Sequence, residues 1–144
     1  MRKIILFSHP LLIAFLLFNL CNDDGIINPL PENHLVLGDT VTVNYGHTLM
    51  NMQEHIWLSF DSLLEDSRCP INVLCVWAGN ARLGFSFGYL ANHYKISLNT
   101  FTAFQTDTTL NHYRITLIDV LPVPHTDSSY TANDYKALLV VDKK

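Results

Sequence analysis

The sequence predicts an all-β fold: an antiparallel β-sandwich or open barrel of about six to eight strands after an N-terminal signal segment. Three observations lead there. Apolar residues recur with a period of two through six separate runs. The runs are short and bounded by turn residues. No long stretch follows the 3.6-residue period of a helix.

The runs follow in order. Val41, Val43 and Tyr45 alternate with Thr40, Thr42 and Asn44. Ile56, Leu58 and Phe60 alternate with Trp57 and Ser59. Leu83, Phe85, Phe87 and Tyr89 alternate with Arg82, Gly84, Ser86 and Gly88. Tyr94, Ile96 and Leu98 make the fourth run, Tyr113, Ile115 and Leu117 the fifth, and Tyr135, Ala137, Leu139 and Val141 the last. Such alternation marks strands buried on one face. "SLLEDS", from Ser62, is expected to add a turn of helix at most. The third run has a nearly bare side, Gly84, Ser86 and Gly88. Glycine inside a strand marks close approach of something else, and Trp57 or Trp77 is the candidate cover. A packing accommodation is the simpler reading, and a ligand groove the alternative.

Ahead of the strands, Met1-Arg2-Lys3 is a short basic start, and "IILF" and "LLIAFLLF" form an apolar region broken by Ser8-His9-Pro10. That is the pattern of a secretory signal over residues 1–20. A membrane-spanning helix is the competing reading. It needs about 20 apolar residues, and His9 and Pro10 interrupt the run. Cys21 stands where such a signal is cut, and "CNDDG" follows. The arrangement resembles a bacterial lipoprotein signal, which implies that Cys21 becomes the first mature residue and carries the lipid. Leu20 and Phe18 depart from the usual small residue and leucine before the cysteine. The acidic pair Asp23-Asp24 resembles lipoproteins of Bacteroidota-type bacteria, which implies an outer-membrane location with surface display. An ordinary cleavage nearby is the alternative. Residues 21–34, polar with Pro29 and Pro31, read as the lipidated cysteine and a tether, and residues 35–144 as one β-sandwich domain.

The chain has three cysteines. With Cys21 lipidated, Cys69 and Cys75 remain, and outside the cytoplasm such a pair is expected to oxidise. Zinc is the rival, but a structural site wants four ligands and no second cysteine pair exists. A redox centre wants Cys-x-x-Cys, which is absent.

The ring lies in "DSRCPINVLCVWAG", between the Phe60 and Leu83 strands, so it is a loop at a sheet end or edge. Pro70 fixes one backbone angle. Arg68 has Asp61, Glu65 and Asp66 as candidate partners in an exposed pair of little worth. Trp77 is expected under or beside the disulfide. The ring is then a rigid corner. The alternative is a rigid recognition loop using Arg68, Pro70 and Trp77, since loops on a stiff scaffold carry binding. The motif D-S-R-C-P-x4-C-x-W-x-G resembles one recurring in an uncharacterised family of small exported bacterial lipoproteins. "YRITLIDVLPVP" and "DYKALLVV" are similar to the closing part of those proteins. The resemblance covers about the last two-thirds of the chain; it implies a β-rich secreted domain and no activity.

Charge narrows the partners. From Cys21 onward the chain keeps all thirteen acidic residues but seven of the nine basic ones, which leaves −6. An acidic balance argues against nucleic acid and against docking on anionic headgroups. No G-x-S-x-G, H-E-x-x-H or P-loop occurs, so no catalytic residue, cofactor or metal is assigned. Two echoing segments, "NHYKISL" and "NHYRITL", put His93, Lys95 and Ser97 on one strand face and His112, Arg114 and Thr116 on another. A metal or anion site across them is the alternative to two ordinary polar faces. If the strands form a hairpin, His93 and His112 sit at opposite ends, some 17 Å apart.

The expectation is a lipid-anchored envelope protein with a non-catalytic binding or structural role. Its partners are the membrane, through lipid on Cys21, and a protein or glycan. An envelope hydrolase or a metal- or anion-binding protein, with a site assembled from distant residues, is the alternative.

Overall fold

A computed structural model describes residues 33–144. The signal, Cys21 and the tether up to residue 32 lie outside the described residues. Eight strands form two antiparallel four-stranded sheets, so the fold is a β-sandwich and not a closed barrel. The strands are β1 (Thr40–Asn44), β2 (Thr48–Asn51), β3 (Ile56–Asp66), β4 (Ala81–Tyr89), β5 (Asn92–Asn99), β6 (Asp107–Leu110), β7 (Tyr113–Leu121) and β8 (Lys136–Lys143). One sheet runs β2-β3-β4-β5, the other β1-β8-β7-β6.

The alternating residues build the core between the sheets. Val41, Val43, Leu58, Phe60, Leu83, Phe85, Phe87, Ile115, Leu139 and Val141 are all buried there. Burial of this apolar surface, at roughly 25 cal/mol per Å², is the main term holding the sheets together. Asn33 and His34, expected in the tether, already belong to the fold. Met50 N donates to the Asn33 carbonyl and Leu35 N to the Met50 carbonyl, each at 2.8 Å.

"SLLEDS" is strand, not helix. Pairing with β4 carries β3 through Asp66, with register shifts between Phe60 and Ser62 and between Leu63 and Glu65. Each such bulge swaps the residues that face the core. Local propensity loses to ladder bonds and to the Leu63–Leu83 pairing.

The bare side of β4 is covered by its neighbours. Trp57 on β3 and His93 on β5 are the register partners of Gly88. Their rings meet above it with centroids 5.4 Å apart at 61°. A methyl group at Gly88 would overlap the Trp57 indole. At Gly84 the cover is Ser62 and Leu64, not an aromatic ring. Ser86 Oγ donates to the Asp61 carboxylate, which also takes Lys95 Nζ at 3.0 Å. The bare face is therefore a packing accommodation.

The two histidine segments do not pair as a hairpin, because β5 and β7 lie in different sheets. The 17 Å separation built on it lapses. His93 packs on Trp57, while the His112 carbonyl, in the β6–β7 turn, accepts from Lys144 N at 2.7 Å. Among the described residues no group of three or more His, Cys, Asp or Glu is placed to hold a metal.

Candidate recognition site

The cysteine ring is the far end of the β3–β4 hairpin. Ser67 N donates to the Asn80 carbonyl at 2.7 Å and Cys69 N to the Ala78 carbonyl at 2.9 Å, which extends the ladder beyond both strands. Cys69 and Cys75 are bonded, with Cα atoms 6.0 Å apart. Gly79 returns the chain with φ of 76°, and any side chain there would run into the Ser67 backbone. Only glycine satisfies both conditions.

Arg68 is the root of this loop, and its pair is not exposed. Its side chain and that of Asp66 are 11% and 10% exposed. The guanidinium donates to Asp66 and to the Val120 and Pro122 carbonyls at the end of β7. Arg68 thus ties the loop to the opposite sheet. Burial pushes the Asp66 carboxyl up, but the Arg68 hydrogen bonds and charge, with the Tyr135 hydroxyl, outweigh it and hold it below the usual range. A second tie joins the ring to the β7–β8 connection. Ile71 N donates to the Pro124 carbonyl at 2.9 Å, and Asn72 exchanges hydrogen bonds with Thr126.

Held by these ties, the ring presents apolar side chains to solvent. Leu74 and Val76 are fully exposed, Ile71 is largely so and Val73 about half. No charged residue occurs from Cys69 to Asn80. Trp77 is not buried beneath the disulfide. It is 53% exposed and meets Phe101 edge-on, with centroids 5.9 Å apart. Phe101 in turn meets Phe104 at 5.9 Å.

Beside this aromatic row lies a shallow cleft of about 280 Å³, lined by Glu65, Trp77, Arg82, Ser97, Phe104 and Gln105 over the buried amides of Asn80 and Asn99. Asn80 Nδ2 donates to Asn99 Oδ1 at 3.0 Å, Phe101 N donates to Asn80 Oδ1, and Asn99 Nδ2 donates to the Gln105 carbonyl. This network holds the 100–106 loop against the base of the ring. A larger cleft of about 430 Å³ is lined by Asn33, Thr42, Asn44, His47, Leu49 and Lys136. A third, of about 270 Å³, has Met50, Met52, His55, Trp57 and Leu90 on its walls. Glu65 is the single carboxylate on these three linings.

Of the sequence-predicted loop residues, Pro70 and Trp77 lie on the ring or at its base, and Arg68 lies beneath. Phe101, Phe104, Arg82 and Gln105 were not anticipated. For Phe101, Phe104 and Gln105 the only signal in the sequence is a pair of phenylalanines in the polar, turn-like "NTFTAFQT". Comparison with protein-family models, curated proteins and solved structures finds no match to this chain.

Proposed function

We propose that this chain is an exported envelope lipoprotein, anchored through lipid on Cys21, with a non-catalytic binding role exerted by its disulfide-stapled loop. The observation that carries the binding role is the loop tip. Aliphatic side chains there stand fully in water on a backbone tied down at both ends, in an uncharged stretch of an otherwise acidic domain. Exposed apolar groups held rigid cost hydration and pay no ordering entropy on docking, which is the condition of a recognition surface.

The point of chain entry supports a partner beyond the anchoring membrane. The chain joins the sandwich at His34, bridged to Met50, whose register partner is Trp57. The ring springs from Asp66, nine residues further along β3, or about 30 Å. A tether feeding one end of the sandwich leaves the apolar tip at the other. A protein with an apolar groove is the partner that fits.

A photo-crosslinking amino acid at Leu74, placed in the full chain in cells, tests this. One discrete adduct, absent when the probe stands at Thr42 and lost with Val76→Asp, is the expected result. No adduct at Leu74, or one unchanged by Val76→Asp, would leave the ring as a structural corner.

A further inference from the structure

We infer that the cleft between Trp77, Phe104 and the Glu65–Arg82 row binds a neutral saccharide. This rests on the domain being a binding protein but requires neither the anchor nor the apolar tip.

A sugar ring carries two chemistries at once. Its C–H face is apolar and packs flat on an aromatic ring. Its vicinal hydroxyls donate and accept in pairs, at a spacing that carboxylates, guanidinium groups and carboxamides meet two at a time. The cleft supplies both. Trp77 and Phe104, each about half exposed, stand at its border. They are braced through Phe101, which touches both. Rigid aromatic rings offer contact area at low entropic cost.

The polar half is equally set. Glu65 and Arg82 are register partners on β3 and β4, and Asn99 on β5 completes the row. Yet Glu65 and Arg82 do not close into an ion pair. Among the described residues the Arg82 and Gln105 side chains make no hydrogen bond or ion pair, and the Glu65 carboxylate accepts only from Ser67 Oγ at 3.2 Å. Three side chains able to make paired hydrogen bonds are thus left available around one cleft. The charges of Glu65 and Arg82 cancel, which favours an uncharged ligand over an anion or a cation. The Asn80–Asn99 amide pair beneath is internally satisfied and serves as a fixed floor.

The test uses the full chain, purified in a detergent without a sugar headgroup. Cellohexaose, mannohexaose, xylohexaose and chitohexaose are titrated by calorimetry, with tryptophan emission as a second readout. Saturable binding to at least one is expected. Trp77→Ala and Arg82→Ala should each weaken it by about tenfold or more, and Trp77→Phe should restore part of it. Leu74→Asp, at the tip, should leave it unchanged. Circular dichroism confirms that each variant is folded. No saturable binding to any of the four, or binding indifferent to Trp77→Ala, overturns the assignment. So does binding of a peptide library that is lost in Trp77→Ala while no sugar binds. A retained crosslink at Leu74 with no sugar bound would reject the cleft and keep the binding role. Sugar binding with no crosslink would keep the cleft and reject the apolar tip as a docking site.

Discussion

The guanidinium of Arg68 forks onto the carboxylate of Asp66, with Nε 2.9 Å from Oδ1 and Nη2 2.7 Å from Oδ2. Tyr135 Oη donates to the same Oδ2 at 3.0 Å. Through Arg68 the root of the loop also reaches the Val120 and Pro122 carbonyls. Removing one partner of a nearly buried pair leaves a charge without compensation. Arg68→Ala is therefore expected to destabilise by roughly 3 kcal/mol.

The same pair sets an acid limit. The Asp66 pKa is depressed in the folded state. The unfolded chain therefore binds the proton more readily, and the pair's contribution is complete above the ordinary aspartate value near 3.8. It is lost as pH falls from there through the lower folded value. Urea denaturation from pH 7 down to about 2 should show Asp66→Asn losing less stability on acidification than the parent, because it has no carboxylate to protonate. Parallel curves for the two proteins would remove Asp66 from the acid response.

Gly88 and Gly84 look alike in sequence but face different neighbours. A methyl at Gly88 meets the Trp57 indole, which is also packed against His93. At Gly84 it meets the Ser62 hydroxyl, which can turn aside. Gly88→Ala is expected to cost about 1–3 kcal/mol, the range for forcing volume into packed space. Gly84→Ala should cost less. Chemical denaturation and Trp57 emission check this, and an equal cost at both sites would contradict the cover by Trp57.

What could be read from sequence followed the period of two. The six runs became strands because each pairs over enough residues to show its pattern. Strands β2 and β6 were invisible because four residues each, "TLMN" and "DTTL", cannot display a period. The end of β3 was misread because its two bulges break the alternation that identifies a strand. Cover over Gly88 was legible, since a glycine in an aromatic strand implies a neighbour. The cleft was not. Asn80 and Asn99 are nineteen residues apart, and it takes the hydrogen bonds between residues 80–81 and 99–101 to bring Phe101 to Trp77. Nor could spacing choose Asp66 for Arg68 over Asp61 and Glu65; the geometry of the hairpin end does.

Cys21→Ser tests the anchor. On the proposed anchor the lipid does the holding, since an acidic domain has no electrostatic attraction to anionic headgroups. Labelling cells with a radioactive or clickable palmitate should mark the parent protein and not the variant, and the variant should move to the soluble fraction. An unlabelled parent would refute lipidation at Cys21.

The disulfide and Trp77 together separate a structural corner from a recognition loop. The short ring closed by Cys69 and Cys75 contributes about 2 kcal/mol on the chain-entropy estimate, and the core lies elsewhere, so replacing both with serine should leave a folded sandwich. Alkylation and mass spectrometry of the purified protein should count no free thiol on either cysteine. Trp77, half exposed with one edge on Phe101, should cost no more than about 1.5 kcal/mol as alanine. Because Trp77 is not buried beneath the bridge, the two changes should add within about 0.5 kcal/mol. Leu74→Asp with Val76→Asp should shift stability by no more than about 0.5 kcal/mol, the surface range, while abolishing the crosslink. A coupling above about 1 kcal/mol between the serine pair and Trp77→Ala would mean one packed unit. The ring would then be a corner of the fold and not its binding end.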